Sequence, residues 1–421
     1  MLLSNGEWLL DYASCERLFR PDLRNKPVIV LSSNDGCVIA RSNEAKALGI
    51  PMGVPYFKVK ALCKQSEVQV FSSNFGLYGD LSRRVMMTIE QEWPHMEPYS
   101  IDEAFLDLSS MPMHLYDEFC LALQKKILKN TGIPTSIGIG QTKTLAKIAN
   151  HLCKKILKTP TFNMNNQREW LKQIPVGEVW GIGRRWSKKL LERGICTAFD
   201  LSIMDTHLLK KQFNVILART AMELQGISGG NLAREEVKQS ILSSKSFGSL
   251  QTEYASVAEA LSSHCARAVE KLRGQHSLVQ RMSIFVHTNR FREDLTQHCQ
   301  SIDVSLSQPT DDLRIITHLA KNGLAQIFRE GCYYKKTGVC FEALLPKASR
   351  QLDLFLQASD EVVQKTEDLM SILGKINQRF GRHTLHLAAE GRTKPWDARL
   401  QMRSPCYTTQ WTELARVRNR T

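Results

Sequence analysis

Short apolar runs alternate with longer amphipathic stretches along the first 160 residues. The segments 28–31 and 37–41, apolar except for Arg41, flank Asn34-Asp35-Gly36. A polar residue before glycine favours a tight turn, so this segment predicts a β-hairpin. Strand patterns recur at 97–108 and 134–140, and helical periodicity is found at 43–49, 58–65, 76–92, 114–130 and 142–155. This alternation predicts an α/β or α+β domain.

The pattern changes after Lys158-Thr159-Pro160-Thr161. Only helical periodicity follows over 166–225, and the glycine-rich, polar stretch 226–240 is typical of a linker. Strand patterns at 283–287 and 337–345, with a helix at 257–273, predict a separate α+β domain. The remainder, 346–421, is mostly helical in pattern. A chain of 421 residues is too long to fold around a single hydrophobic core, which agrees with several domains.

The charge balance favours a polyanionic partner. Lysine and arginine number 56 against 42 acidic residues, a net charge of +14, which favours nucleic acid over an anionic membrane. No apolar run approaches the ~20 residues of a membrane span, and the N-terminus lacks the features of a signal peptide. The 11 cysteines include no CxxC pair. We therefore expect reduced thiols and a cytoplasmic protein without a membrane partner.

Asp102 and Glu103 are adjacent carboxylates within the segment 99–108, whose pattern otherwise predicts a buried pair of strands. Burial of two neighbouring like charges is costly, so such a pair requires a cationic partner. Two divalent metal ions about 4 Å apart are the usual device for in-line nucleotidyl transfer. A solvated turn between two strands is the alternative interpretation.

A second candidate site lies at Val179-Trp180-Gly181-Ile182-Gly183. A Gly-x-Gly turn that opens a helix presents backbone N–H groups to a phosphate. The basic residues that follow are Arg184, Arg185, Lys188 and Lys189. This arrangement predicts a helix-hairpin-helix that binds the DNA backbone through Gly181, Gly183, Arg184, Arg185 and Lys188. An ordinary helix–helix connection is the alternative.

Several segments, in order along nearly the whole chain, resemble the Y-family DNA polymerases, and most closely the UmuC-like catalytic subunits of DNA polymerase V, including plasmid- and phage-borne relatives. The segments are 12–16 (YASCE), 34–41 (NDGCVIAR), 99–105 (YSIDEAF), 140–147 (GQTKTLAK), 179–185 (VWGIGRR), 351–355 (QLDLF) and 404–409 (SPCYTT).

The resemblance implies an α+β multidomain, right-handed polymerase fold. It would place an α/β palm over 1–165 with small inserted fingers at about 20–75, and a helical thumb over 166–235. An α+β little finger would span 240–345, and a mainly helical C-terminal tail 346–421.

The resemblance also implies that palm carboxylates hold two Mg²⁺ ions. Asp102 corresponds to the ligand shared by both ions and Glu103 to a ligand of the primer-side ion. Glu7 occupies the position of the third carboxylate, an aspartate in the family, and Trp8 the position that supplies a backbone carbonyl. Asp11 is an alternative ligand. Because residues 1–11 depart from the family pattern, an altered start and a real loss of activity both remain open.

Four residues correspond to nucleotide contacts in the family: Tyr12, Asn43, Lys46 and Lys154. Tyr12 matches the steric gate, an aromatic ring that would clash with a ribose 2′-hydroxyl. The other three match contacts to the triphosphate, and the spacing of Asn43 and Lys46 puts both on one helix face. A core tyrosine and a solvated basic face are the respective alternatives.

The segment 351–355 resembles a peptide that binds the bacterial β sliding clamp. Leu352, Leu354 and Phe355 would fill an apolar pocket while Gln351 fixes the register. A packed strand is the alternative. His383 and His386 are spaced like metal ligands. Because no cysteine or acidic residue completes a ligand set with them, they are interpreted as structural.

The leading prediction is an error-prone translesion DNA polymerase subunit that acts in SOS mutagenesis and DNA damage tolerance. The resemblance implies primer-template DNA and dNTP as substrates, and a processed UmuD-like subunit, the β clamp and the RecA filament as partners. The alternative is a catalytically weakened factor that binds DNA and the clamp, because Glu7 replaces the expected aspartate. A nucleotidyl cyclase is disfavoured, since it would have no thumb or clamp peptide.

Overall fold

The chain folds as two units, one of which is discontinuous in sequence. The computed structural model describes residues 2–4, 12–229, 237–349, 360–381 and 383–414. The first unit comprises Met1–Arg234 together with Gln401–Thr421, and the second comprises Glu235–Leu400.

The described part of the first unit contains two sheets and a series of helices. Its strands are β1 (Leu2–Ser4), β2 (Val28–Leu31), β3 (Val38–Arg41), β4 (Gln69–Ser72), β5 (Met96–Ser100), β6 (Glu103–Leu106), β7 (Ser136–Ile139) and β8 (Thr161–Asn163). Its helices are α1 (Tyr12–Phe19), α2 (Asn43–Ala47), α3 (Tyr56–Gln65), α4 (Phe75–Glu92), α5 (Tyr116–Thr131), α6 (Lys143–Leu152), α7 (Arg184–Leu191), α8 (Ala198–Ser202), α9 (Thr206–Gln212) and α10 (Val215–Leu224).

A five-stranded sheet in the order β5-β6-β1-β7-β8 forms the base of the first unit. β1 runs antiparallel to β6 and to β7, and its register pairs Ser4 with Glu103. Helices α4 and α5 bury their apolar residues in the core that also contains Leu106 and Ile137.

Helix α6 lies directly against β7 because that strand carries glycine where the helix backbone passes. A Cβ on Gly138 would lie 2.3 Å from the carbonyl oxygen of Ala146, a distance that atoms do not tolerate. Thr142 caps the helix by accepting a hydrogen bond from the Leu145 N–H. The close approach places the side chains of α6 beside the sheet.

A smaller sheet, in the order β3-β2-β4, follows α1 in the chain. β2 is buried along its whole length, antiparallel to β3 and parallel to β4. The predicted hairpin at 28–41 is therefore present. Ser42 caps α2, with its hydroxyl accepting a hydrogen bond from the Ala45 N–H.

Helices α7–α10 share one apolar core, to which α7 contributes Leu190 and α8 contributes Leu201. Polar caps start three of them: Thr197 forms a capping box with Asp200, Asp205 caps α9 and Asn214 caps α10. The helical periodicity at 166–225 thus corresponds to a helical region.

The second unit is an α+β domain. Its described elements are β9 (Ile241–Gln251), α11 (Tyr254–Gly274), β10 (Ser277–Thr288), β11 (Cys299–Thr310), α12 (Leu313–Ile327), β12 (Tyr334–Pro346) and α13 (Asp360–Phe380). The antiparallel sheet has the order β11-β10-β12-β9, and α11 and α12 pack on it around one core.

The predicted C-terminal tail is divided between the two units. Helix α13 and the chain to Leu400 belong to the second unit, whereas 401–414 belong to the first. Residues 383–414 are largely irregular, apart from short 3₁₀ turns such as Ala388–Glu390 and Trp411–Glu413. Among the described helices, none is both long and apolar enough to cross a bilayer.

Candidate active site

Asp102 and Glu103 lie where β5 turns into β6. Ser100 pairs with Glu103 in the antiparallel register, so Ile101 and Asp102 form the two-residue turn. The Asp102 carboxylate accepts a hydrogen bond from the Ser100 hydroxyl, and both acidic residues are half-buried. The adjacent strand residues Ala104 and Phe105 are buried. The turn thus presents two adjacent carboxylates at the edge of an apolar sheet.

The predicted third carboxylate cannot be placed beside this pair. Glu7, Trp8 and the alternative Asp11 lie outside the described residues. The preceding strand β1 runs next to the pair, since Ser4 is opposite Glu103. Carboxylate oxygens suit a hard divalent cation, so the two residues present fit one. Within the described ranges, no group of three or more potential metal ligands is found.

Lys147 contacts one member of the pair, Glu103, directly. Its Nζ lies 2.6 Å from Glu103 Oε2, and the two side chains are 15% and 16% exposed. The ammonium also lies over the rings of Tyr99 and Trp180, at 4.7 and 5.2 Å from their centroids. Water is largely excluded from this ion pair, which strengthens it relative to a surface pair.

Sequence reasoning did not assign a role to Lys147. The signal was available, because Lys143 and Lys147 are four residues apart and share one face of α6. Lys143 makes a parallel pair with Glu97 of β5 at 2.8 Å. The two lysines therefore join α6 to the hairpin that carries Asp102.

Tyr12 lies within electrostatic reach of Asp102. Burial raises the pKa of the Tyr12 phenol, and the negative charge of Asp102 raises it further. The ring stacks on Tyr78 with centroids 4.3 Å apart and planes at 12°, and Phe75 packs edge-on. The first turn of α1 thus brings an aromatic ring towards the carboxylate turn.

The predicted triphosphate residues occupy two elements. Asn43 and Lys46 share one face of α2, where the Lys46 ammonium donates to Asn43 Oδ1 at 3.3 Å. Lys154 is half-buried in the π-helical turn Cys153–Leu157, immediately after α6. An ion pair between Arg17 and Glu44, 2.6 Å apart, joins α1 to α2.

The Gly181–Lys188 segment has an open turn before α7. Gly181 has φ +86°, which favours glycine, and Gly183 is the N-cap residue of α7. A Cβ on Gly183 would meet nothing within 4 Å, so the surface above the helix start is open. Arg184, Arg185 and Lys188 are exposed around it. Basic side chains and unpaired N–H groups of a helix start suit a phosphate.

The last two predicted features are the clamp-binding peptide and the histidines at 383 and 386, and only the histidines are among the described residues. Gln351, Leu352, Leu354 and Phe355 lie outside the described residues. His383 Nδ1 lies 3.5 Å from the buried Glu390 carboxylate, and the ring of His386 contacts the His383 carbonyl.

Comparison with known proteins identifies the chain. The model of the impB/mucB/samB family matches residues 11–151, and that of the same family's C-terminal domain matches 238–354. The UmuC protein of Salmonella typhimurium is 44% identical, over 97% of this chain and 98% of that protein. The chain belongs to the impB/mucB/samB family.

Similarity extends beyond the immediate impB/mucB/samB relatives. A DNA polymerase IV of Bacillus velezensis is 26% identical, over 90% of each chain. A solved Y-family DNA polymerase chimera, Dbh-Dpo4(243-245)-Dbh, superposes with a TM-score of 0.64. It covers 82% of this chain and 98% of its own, at 19% identity. The predicted UmuC-like resemblance and the α+β multidomain polymerase fold are both confirmed.

One part of this impB/mucB/samB chain matches a domain without an assigned role. Residues 367–417 match a domain of unknown function, DUF4113. The match includes most of α13, in the second unit, and all of 401–414, in the first unit.

Proposed function

We propose that the protein is a translesion DNA polymerase that transfers a nucleotide from dNTP to a primer 3′-hydroxyl in the SOS response to DNA damage. Its enzyme class is DNA-directed DNA polymerase. The observation that carries the proposal is the Asp102–Glu103 turn, with Tyr12 within electrostatic reach of Asp102. Paired carboxylates and an aromatic ring are what metal-assisted nucleotidyl transfer and sugar selection require.

Two Mg²⁺ ions are proposed as cofactors, held by Asp102, Glu103, Glu7 and the Trp8 carbonyl. When bound, such ions lower the pKa of the attacking hydroxyl and hold the triphosphate. One carboxylate oxygen of Glu103 is bonded to Lys147, so a metal ion that binds this oxygen has to displace the ammonium. Asp102 stands on the turn with its carboxylate bonded to the Ser100 hydroxyl.

Tyr12 is proposed as the sugar-selective residue. Its ring is held by stacking on Tyr78 and by the edge-on packing of Phe75. A supported ring cannot move aside for a 2′-hydroxyl, so a ribonucleotide would meet a steric clash. Lys46, Lys154 and Asn43 are proposed to bind the triphosphate, with the lysines acting as point charges.

The remaining functional assignments follow the same proposal. The Gly181–Lys188 turn binds the DNA backbone, and residues 351–355 bind the β sliding clamp. A processed UmuD-like subunit and the RecA filament are the proposed partners, in the cytoplasm. In domain terms, 1–165 is the palm with fingers at about 20–75, 166–235 the thumb, 240–345 the little finger and 346–421 the tail.

A second candidate function is a catalytically weakened factor that binds DNA and the clamp. It is favoured by Glu7, whose side chain is one methylene longer than the expected aspartate. A displacement of about 1 Å at a reacting centre costs on the order of 10²-fold in rate.

Primer extension separates the two functions. The unmodified chain, Asp102→Asn and Glu7→Asp are compared with Mg²⁺, dNTPs and the UmuD-like partner, on intact and abasic templates. The proposal predicts extension by the unmodified chain and none by Asp102→Asn. The second function is supported if the unmodified chain binds DNA and the clamp but extends no primer, whereas the Glu7→Asp variant does extend it. Absence of extension in all three proteins rejects the polymerase assignment.

A further inference from the structure

The segment 401–407, called here the docked segment, extends the small sheet of the first unit. The Ser72 N–H donates to the Met402 carbonyl at 3.0 Å, and the Met402 N–H donates to the Ser72 hydroxyl at 2.9 Å. Ser72 and Arg403 form a parallel bridge. β4 is the edge strand of its sheet, so the docked segment covers an edge that would otherwise be open.

The side chain of Asn74 holds the docked segment in place through hydrogen bonds. Its side-chain amide donates to the carbonyls of Ser404 and Pro405, at 3.0 and 3.2 Å, and contacts the Ser404 hydroxyl at 3.1 Å. Ser404 and Cys406 are buried, and Tyr407 stacks on Phe19 with centroids 4.6 Å apart. The contacts are buried and specific, as in the interior of a domain.

From this position Ser404 reaches a buried carboxylate of α1. The Ser404 hydroxyl donates to Glu16 Oε1 at 2.9 Å, and the Tyr78 hydroxyl donates to the same oxygen at 2.6 Å. Glu16 is fully buried, and its other oxygen has no hydrogen-bond partner within the described residues. The orientation of the carboxylate therefore depends on the Ser404 and Tyr78 hydroxyls.

Tyr78 connects this carboxylate to the candidate active site. It is fully buried, and its ring stacks face to face on Tyr12. A change in the tilt of Tyr78 is transmitted to Tyr12, because stacked rings at 4.3 Å leave no space between them. Ser404, Glu16, Tyr78 and Tyr12 thus form one continuous chain of contacts.

We propose that the docked segment is a working part of the nucleotide site, in which Ser404 is a positioning residue that sets the plane of Tyr12 through Glu16 and Tyr78. The proposal rests on the proposed function insofar as Tyr12 selects the sugar. It gives a role to the last part of the domain of unknown function, which ends beyond the docked segment.

Selectivity for deoxyribonucleotides is the functional readout. In the full chain, Ser404→Ala removes one hydroxyl, while Asn74 still holds the segment through two carbonyls. Thr409→Ala is the matched control, because it removes an exposed hydroxyl from the same part of the chain. We expect the ratio of kcat/KM for dNTP over rNTP to fall roughly tenfold in Ser404→Ala and to stay unchanged in Thr409→Ala. Equal ratios in the two variants overturn the proposal.

A double-mutant cycle tests whether the effect passes through Glu16. Tyr78→Phe removes the other hydroxyl but keeps the stacked ring. If both hydroxyls act through one carboxylate, the combined variant loses less selectivity than the product of the single losses. Strictly multiplicative losses overturn the connection.

A spectroscopic readout separates this proposal from the polymerase assignment. The full chain carries 3-fluorotyrosine at position 12, and its ¹⁹F resonance is recorded without nucleotide or DNA. Ser404→Ala is expected to displace or split the resonance, whereas Thr409→Ala leaves it unchanged. An identical resonance in both variants overturns the positioning role even if primers are extended. A displaced resonance in a chain that extends no primer rejects the proposed function alone.

Discussion

Lys147 Nζ lies 2.6 Å from Glu103 Oε2, and this pair ties helix α6 to the carboxylate turn. The lysine occupies one oxygen of a residue proposed to bind metal. A cation that binds there competes with an ammonium already in place, in a site with little water to screen either charge. The strength of metal binding should therefore depend on Lys147.

The first prediction concerns this competition. Lys147→Met keeps an unbranched apolar side chain but removes the ammonium that lies over Tyr99. We expect the Mg²⁺ concentration for half-maximal binding to fall by about tenfold, on the scale of one charge-assisted hydrogen bond. Isothermal titration measures the binding directly. Lys143→Met is the control, because Lys143 makes the neighbouring pair with Glu97 and should leave Mg²⁺ affinity unchanged. Weaker or unchanged affinity in Lys147→Met contradicts the competition.

The second prediction concerns sugar selection. Tyr12→Ala opens the space under the sugar, so discrimination against ribonucleotides should fall on the order of 10²-fold. Tyr12→Phe keeps the ring and its stack on Tyr78 and should retain most of the discrimination. Single-nucleotide incorporation with matched dNTP and rNTP gives the ratio. Equal discrimination in Tyr12→Ala and the unmodified chain would remove Tyr12 from the sugar site.

The third prediction concerns the exposed arginines at the start of α7. Loss of two phosphate contacts lowers the slope of log affinity against log salt by about 2 units. We expect this for the double variant Arg184→Ala and Arg185→Ala, measured by fluorescence anisotropy on duplex DNA. Lys210→Ala with Lys211→Ala removes the same charge from exposed positions of α9. If both double variants show the same slope, the effect is one of net charge.

The fourth prediction concerns His264 on α11. Burial, followed by the charges of Arg267 and Lys245, lowers the pKa of this imidazole to about 4 from 6.5. Between these values the unfolded chain binds more protons. The stability of the second unit should therefore be complete above pH 6.5 and fall as the pH drops towards 4, by about 3 kcal/mol at most.

Urea unfolding at pH 7 and pH 4.5, monitored by hydrogen exchange of the α11 amides, measures this loss of stability. His264→Gln should show a smaller difference between the two pH values, because no buried imidazole remains to be protonated. His318→Gln changes an exposed histidine on α12 and serves as the control. An equal pH dependence in all three proteins contradicts the assignment to His264.

The sequence predicted elements whose periodicity is strong and local. The hairpin at 28–41, the strands around Asp102 and the helix after Thr142 follow from apolar alternation, turn residues and a cap. β9 was not predicted, because its sequence, ILSSKSFGSLQ, is largely polar and small. It is a strand because β12 pairs with it.

Part of the candidate site was predictable because its signal in the sequence is also local. Asp102 and Glu103 stand out as adjacent charges in a segment whose pattern otherwise predicts buried strands. The partner of Glu103 comes from a helix 44 residues later, and the contact depends on the close packing that Gly138 allows. The bond between Ser404 and Glu16 spans 388 residues and follows from no local pattern.

Rapid-quench incorporation of single nucleotides tests the central assignment most directly. Four primer-templates differ only in the templating base, and each is offered each dNTP with Mg²⁺ and the UmuD-like partner. A template-directed polymerase incorporates the complementary nucleotide preferentially on every template, and Asp102→Asn should lose this incorporation. Absence of product on all four templates, or the same nucleotide added regardless of the templating base, would contradict the assignment.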